Sequence, residues 1–204
     1  NMNEPTGNAI GNWLEVEESI DCLIGGGPED TNKLAHLLSG TMIYLGGKVD
    51  SIFAGIELSQ KQVQSGQAFQ KFLDIVDEQG GDKSYIENPK KYHTAGFVFE
   101  LKAHTDGYLQ SFDTFAIGIA ALELGAGRKV ISDTIDPTAG IILKKKIGDK
   151  IRKGETILMG YTNKPAKIDT VSELLFEAIK IGSEQSAAEV LITHISDREG
   201  TRAF

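Results

Sequence analysis

At 204 residues the chain is long enough for one large domain or two small ones. A formal net charge of −8, with no long basic run, argues against a phosphate-neutralising nucleic-acid surface. The single cysteine, Cys22, rules out an intrachain disulfide and a cysteine-based metal site.

No apolar run approaches the roughly 20 residues that span a bilayer, and nothing resembles a signal peptide. The expected compartment is the cytoplasm, with no membrane partner. In chain order, the first half reads as helices punctuated by glycine. Asn12 and Glu15 form a capping-box pattern, followed by Val16, Ile20, Leu23 and Ile24 on one helical face. Gly25-Gly26-Gly27-Pro28 stops that helix. Asp30 or Thr31 is placed to cap a second helix, with Leu34, Leu37, Leu38, Met42 and Leu45 facing inward. A third helix is predicted over 50–64. A fourth carries Phe69, Phe72, Leu73 and Val76 on one face and ends at Gly80-Gly81.

The polar stretch 82–94, with Pro89, contains the candidate domain boundary. Beyond it the period changes. Residues 97–101 and 108–112 read as strands joined at the turn dipeptide Asp106-Gly107. Asp113 is placed to cap a helix over 114–124. Strands are predicted at 140–143 and 156–161, with turns at Gly148-Asp149 and Gly154-Glu155. A helix over 170–181 and a strand over 190–194 complete the reading. The basic cluster Lys144, Lys145, Lys146, Lys150, Arg152 and Lys153 reads as a solvated hairpin face.

Several motifs occur in a telling order. They are Met2–Asn12 with Leu14-Glu15-Val16, then Gln79-Gly80-Gly81-Asp82, Asp106-Gly107-Tyr108, Leu124-Gly125-Ala126-Gly127-Arg128, and Ala139-Gly140-Ile141 with Lys145 and Gly148-Asp149. In this series the chain resembles the pyrimidine-nucleoside and thymidine phosphorylases, over their C-terminal portion only. The resemblance implies an α+β arrangement. Residues 1–88 would be the helical C-terminal part of a central α/β phosphorylase domain. Residues 89–204 would form a C-terminal α+β domain of the barrel-sandwich type. It also implies a homodimeric pentosyltransferase whose substrates, in the full-length enzyme, are inorganic phosphate and a pyrimidine nucleoside. Phosphate attacks the anomeric carbon, giving the free base and a (deoxy)ribose 1-phosphate.

That chemistry needs backbone N–H groups and cations around phosphate, and fixed donors for the departing base. The family supplies them from a glycine-rich Lys-His-Ser-Thr-Gly-Gly-type loop and an Arg, Ser and Lys set. Neither occurs in these 204 residues. Gly25-Gly26-Gly27 ends in Pro28 and is followed by Glu29 and Asp30, so it reads as a helix stop and not a phosphate cradle. No catalytic or substrate-binding residue is assigned, and the chain is expected to be inactive alone. Helices over 13–80 would then lack the sheet they normally cover, leaving an apolar face expected to drive self-association.

One family site does map onto the sequence. The resemblance implies a monovalent cation, usually potassium, with the carbonyl oxygens of Thr6 and Ala9 and the carboxylate of Glu18 as ligands. Such hard oxygen donors suit an alkali cation. Two further ligands would come from the missing glycine-rich loop, so this is a half-site.

The remaining candidates have plainer readings. His36, His93, His104 and His194 lack metal-ligand spacing. His104 with Asp106 is a conceivable acid–base pair, though a turn beside a strand explains both. Arg128 reads as an anchor of its turn, Cys22 as a near-core residue and Trp13 as packing. The stretch 147–159 also resembles biotinyl and lipoyl carrier domains, but Lys164 lacks the flanking methionine or acidic-alanine context of a carrier lysine. A non-catalytic subunit or relic is the third alternative.

Overall fold

The computed structural model of the chain describes residues 1–187, 190–197 and 200–203. It divides into two compact units, Trp13–Thr94 and a second made of Asn1–Asn12 with Ala95–Phe204.

The first unit is helical. It holds α1 (Asn12–Leu23, from its second residue), α2 (Glu29–Leu45), α3 (Ile52–Gln64), α4 (Gln67–Glu78) and α5 (Lys83–Glu87). Glycine ends the elements, as the sequence suggests. Gly25 and Gly80 sit at φ +90° and +74°, where only glycine is unstrained. A small core of Ile20, Leu73 and Ile86 gathers Trp13, Val16, Phe69, Phe72 and Val76 around it, as the α1 and α4 periodicities imply. Trp13 stacks on Tyr92 at 4.0 Å. Helix α1 ends at Leu23, so Ile24 leaves its face and is 61% exposed.

Two expectations for α2 fail. The helix starts at Glu29, so Asp30 and Thr31 lie inside its first turn; the Asp30 carboxylate accepts from the Thr31 N–H instead of capping. Its inward face is also different. Leu38, Met42 and Leu45 are 54%, 65% and 75% exposed. Contact with α3 is made by small residues instead. A Cβ on Gly40 would sit 2.5 Å from the Ile56 nitrogen, so the two helix backbones nearly touch. His36 Nδ1 lies 2.9 Å from the hydroxyl of buried Ser59, beside this contact.

The second unit contains β1 (Ala9–Ile10), β2 (Phe97–Lys102), β3 (Gly107–Phe112), α6 (Thr114–Ala121), β4 (Gly140–Leu143), β5 (Lys150–Ile151), β6 (Thr156–Thr162), α7 (Ile168–Glu177), β7 (Ile179–Gly182), β8 (His194–Asp197) and β9 (Gly200–Ala203). Among the described residues all strand pairing is antiparallel. The sheets run β1-β4-β6-β2, β5-β3-β7 and β8-β9. One core joins the first two sheets and both helices: Leu101, Leu109, Ile141, Leu143, Ile151, Ile157 and Leu158 pack with Ile117, Ala120, Val171 and Leu175. The architecture is therefore α+β. Asp113 caps α6, accepting from the Ala116 N–H at 2.9 Å.

Three expectations are corrected here. Strands β2 and β3 do not form a hairpin at Asp106-Gly107. Ala103 exchanges backbone bonds with Gly154 and Glu155, and the Asp106 carboxylate accepts from the Lys153 N–H, so the connection is drawn to the β5–β6 turn. Strand β2 then pairs with β6, and β3 with β5 and β7 in the other sheet. The helix predicted over 170–181 ends at Glu177, because Ile179-Lys180-Ile181 alternates with period two and pairs with β3. The predicted strand 190–194, of which residue 190 onward is described, begins only at His194, where β9 offers a partner.

Candidate functional site

The N-terminal arm is bound along its length to the second unit. The Glu4 carboxylate accepts from the Ile147 N–H at 3.1 Å. Lys146 Nζ donates to the Pro5 carbonyl at 2.5 Å, and the Leu143 N–H to the Asn8 carbonyl at 2.8 Å. Strand β1 then pairs with β4 in the register Ala9↔Ile142 and Ile10↔Ile141. With Asn8 bonded to Leu143, Ala9 and Ile142 form a non-hydrogen-bonded pair, and the Ala9 carbonyl is directed away from β4. Ala9 is buried and Thr6 exposed. Glu18 belongs to the helical unit, half-buried on α1.

Gly11 brings the arm close to β4. At φ +144°, a Cβ there would stand 2.5 Å from the Ala139 carbonyl oxygen. Next to it, Asn12 Nδ2 donates to the Ala126 carbonyl at 2.8 Å. That bond reaches the Leu124–Arg128 turn, whose geometry was not legible in advance. Three successive carbonyls of the turn accept hydrogen bonds. Leu124 takes the hydroxyl of buried Thr162 at 2.6 Å, Gly125 the Asp136 N–H at 2.9 Å, and Ala126 the Asn12 amide. Gly125 makes this possible at φ +120°. The expected anchor, Arg128, is exposed; the backbone holds the turn.

Sequence reasoning also missed a polar clamp beside this turn. Asp136 Oδ1 accepts from the N–H and hydroxyl of Thr138 at 2.9 and 2.7 Å. Asn163 Nδ2 donates to Asp136 Oδ2 at 2.9 Å, while Asn163 Oδ1 accepts from the Gly96 N–H at 2.7 Å. The only advance signal was the Asp-Pro-Thr sequence at 136–138, a turn pattern that says nothing of Asn163.

The other candidates are placed apart from any shared chemistry. His104 stacks on Phe176 at 4.2 Å while Asp106 accepts from Lys153, so they are not a pair. Burial pushes the Cys22 thiol up, and the charges of Glu18, Asp21 and Asp30 push it further, which disfavours the reactive thiolate. Gly25 and Gly26 donate back to Cys22 and Asp21, closing α1 rather than cradling an anion. Lys145 pairs with Glu155 at 2.6 Å, so the basic cluster is partly neutralised. Lys164 lies between β6 and α7, not at a hairpin tip, which removes the geometry a carrier lysine needs. Among the described residues, no three or more His, Cys, Asp or Glu side chains converge as a metal site, and no helix is long and apolar enough to cross a membrane.

Comparison with known proteins places the turn, but not the arm, inside a family model. Residues 108–182 match the pyrimidine nucleoside phosphorylase C-terminal domain, a span that runs from β3 through β7. The pyrimidine-nucleoside phosphorylase of Geobacillus stearothermophilus is 40% identical over 191 residues, covering 94% of this chain and 44% of the relative. That of Bacillus subtilis (strain 168) is 37% identical over 196 residues, 96% of this chain and 45% of the relative. The Staphylococcus aureus (strain USA300) enzyme is 39% identical over 173 residues, 85% and 40% respectively. The chain corresponds to the C-terminal portion of the pyrimidine-nucleoside phosphorylases. It spans less than half the length of these curated relatives.

Surface charge gives the chain a defined acid response. Hydrogen bonds from Lys129 and Lys167 hold the Glu123 carboxyl below its ordinary 4.5. The Lys145 ammonium and the Arg152 N–H lower Glu155 from 4.5, and the Lys129 and Val130 N–H groups lower Asp133 from 3.8. A carboxylate with a depressed folded pKa stabilises the fold above its unfolded value. That contribution fades as pH falls through the folded value. Glu17 has the opposite sign: burial raises it, so protonating it relieves a cost. The expected result is a Tm that falls once pH drops below 4.5, with a shallower fall in the Glu123→Gln variant. Thermal melts in low salt between neutral and acid pH check this.

Proposed function

We propose that this chain is the C-terminal part of an enzyme catalysing reversible phosphorolysis of pyrimidine nucleosides. Inorganic phosphate attacks the anomeric carbon, the bond to the base nitrogen breaks through an oxocarbenium-like state, and the products are free base and a pentose 1-phosphate. The observation that carries the reading is continuous identity of 37–40% to named pyrimidine-nucleoside phosphorylases across 85–96% of the chain. The 204 residues contain no glycine-rich phosphate loop and no base grip. By itself the chain is therefore inactive, and it works in the cytoplasm as part of a homo-oligomer.

Its contribution to the complete site is a monovalent cation half-site. The Thr6 and Ala9 carbonyls and the Glu18 carboxylate would hold potassium. An all-oxygen donor set and an Ala9 carbonyl directed away from β4 fit that role. When bound, the cation supplies fixed positive charge that organises the loops around it.

The test compares the purified 204-residue chain with a single polypeptide that joins the N-terminal portion of the Geobacillus stearothermophilus relative to Asn1. Uridine and phosphate should yield uracil with the fusion and none with the chain alone. Uracil release by the chain alone would refute the inactivity. A folded fusion with no phosphorolysis would refute the assignment. Potassium should stimulate the fusion, and Glu18→Gln should blunt that stimulation.

A further inference from the structure

The N-terminal arm keeps one antiparallel register along β4 and the residues after it. Ile10 faces Ile141 and Ala9 faces Ile142. The Asn8 carbonyl accepts from the Leu143 N–H, the Pro5 carbonyl from Lys146 Nζ, and the Glu4 carboxylate from the Ile147 N–H. Hydrogen-bonded pairs alternate along an antiparallel ladder, so Asn8–Leu143 should be followed by Thr6–Lys145 and then Glu4–Ile147. The ladder breaks at the first of these. Gly7 takes φ +72°, and the Thr6 carbonyl accepts no hydrogen bond among the described residues. At the second, the Glu4 side chain takes the place its own carbonyl would hold in a strand. Residues 6 and 7 therefore form an arch between two pins, Asn8 on one side and Pro5 with Glu4 on the other. The pin at Pro5 is a charge-assisted bond of 2.5 Å from the half-buried Lys146.

We infer that Lys146 is a positioning residue for the cation half-site: its bond to the Pro5 carbonyl holds the arch open and keeps the Thr6 carbonyl out of the ladder. This rests on the function proposed above. Without that bond the arm is free to settle into the regular ladder, where the Lys145 N–H takes the Thr6 carbonyl. Electrostatics alone predicts the opposite sign. An ammonium bonded to the adjacent Pro5 carbonyl repels a cation at Thr6, so removing its charge would tighten potassium binding. Positioning predicts weaker binding, and the two readings separate on direction.

The test melts the fusion to the Geobacillus stearothermophilus N-terminal portion in potassium chloride against choline chloride at constant ionic strength. Amide exchange is followed in the 204-residue chain. In K146M the potassium concentration giving half of the maximal rise in Tm should increase at least about tenfold, as when a group that orients a metal ligand is lost. K146R keeps a donor and should stay within about threefold of the parent. In the chain alone, K146M should speed exchange at Ile147 by about tenfold and leave Leu158 unchanged. A potassium requirement that is unchanged or lower in K146M overturns the inference. So does a requirement in K146R as high as in K146M, or unchanged exchange at Ile147. A parent fusion whose melt ignores potassium removes the half-site and the inference together. A potassium-dependent melt that shifts in K146M as expected, in a fusion that yields no uracil, keeps the inference and removes the phosphorolytic reading.

Discussion

Replacing Gly55 by alanine should destabilise the helical unit by about 3 kcal/mol or more, although alanine is the better helix former. Taken alone, the propensity change in a helix interior favours alanine by about 1 kcal/mol. At Gly55 the added Cβ would land on the Gly40 carbonyl oxygen, with the carbonyl carbon at 2.8 Å and Gly40 Cα at 3.0 Å. Every one of these is backbone, so no rotamer change relieves the overlap. Helices α2 and α3 must separate. The bond between His36 and Ser59 lies one turn along from this contact on each helix, and separation would leave the buried Ser59 hydroxyl without its partner. Such a loss adds about 1–3 kcal/mol. For a unit of this size each kcal/mol corresponds to roughly 4–8 °C in Tm, so the melt should move by more than about 10 °C. Gly118 in α6 is the internal control. A Cβ there meets nothing within 4 Å, so Gly118→Ala should leave stability unchanged or raise it. Circular dichroism melts of both variants decide the matter. A Gly55→Ala protein that melts like the parent would mean the helices are not in backbone contact.

The contrast between these glycines shows what a sequence reveals. Gly25 and Gly80 were readable because a helical period ends at them. Gly40 and Gly55 interrupt no period, and only the crossing of two helices gives them meaning. The same limit explains the misassigned face of α2. Twelve residues without Asp, Glu, Lys or Arg leave no charged side from which to infer the buried one, so the larger side chains read as inward. Strands β2 and β3 are in place, but their partners depend on bonds from Ala103 and Asp106 to residues about fifty positions away. Alternation in Ile179-Lys180-Ile181 was available to be read, yet it is too short to outweigh the helical pattern before it. At the site, the Leu124–Arg128 letters marked a family. The work of the turn is done by three backbone carbonyls, and of that only the need for glycine at position 125 is written in side chains. The register that directs the Ala9 carbonyl is likewise a property of the β1–β4 pairing and not of alanine.

Gly11 tests whether that pairing holds the N-terminal arm in place. Gly11→Ala puts a Cβ at φ +144°, a conformation that costs a side-chain-bearing residue about 1–3 kcal/mol. It also brings that Cβ to 2.5 Å from the Ala139 oxygen and 2.9 Å from Gly140 Cα, both backbone at the start of β4. The arm must lift. The Asn8 carbonyl then releases the Leu143 N–H, and the Asn12 amide moves off the Ala126 carbonyl. The rest of the core needs neither contact, since Leu109, Leu124 and Leu158 are fully buried among β3, β6 and the helices. Damage should therefore stay local. At about 1.4 kcal/mol per tenfold, a local cost of roughly 3 kcal/mol speeds amide exchange at Ile10 and Leu143 by about two orders of magnitude, with Leu109 and Leu158 unchanged. Asn12→Ala removes only the side-chain bond and should give a smaller, similarly placed effect. In the fused phosphorylase, lifting the arm turns the Ala9 carbonyl out of its set direction, so potassium stimulation should weaken more than activity without added potassium. Equal loss of both would tie the arm to folding alone. Unchanged exchange at Leu143 would mean that the close approach at Gly11 does not hold the arm.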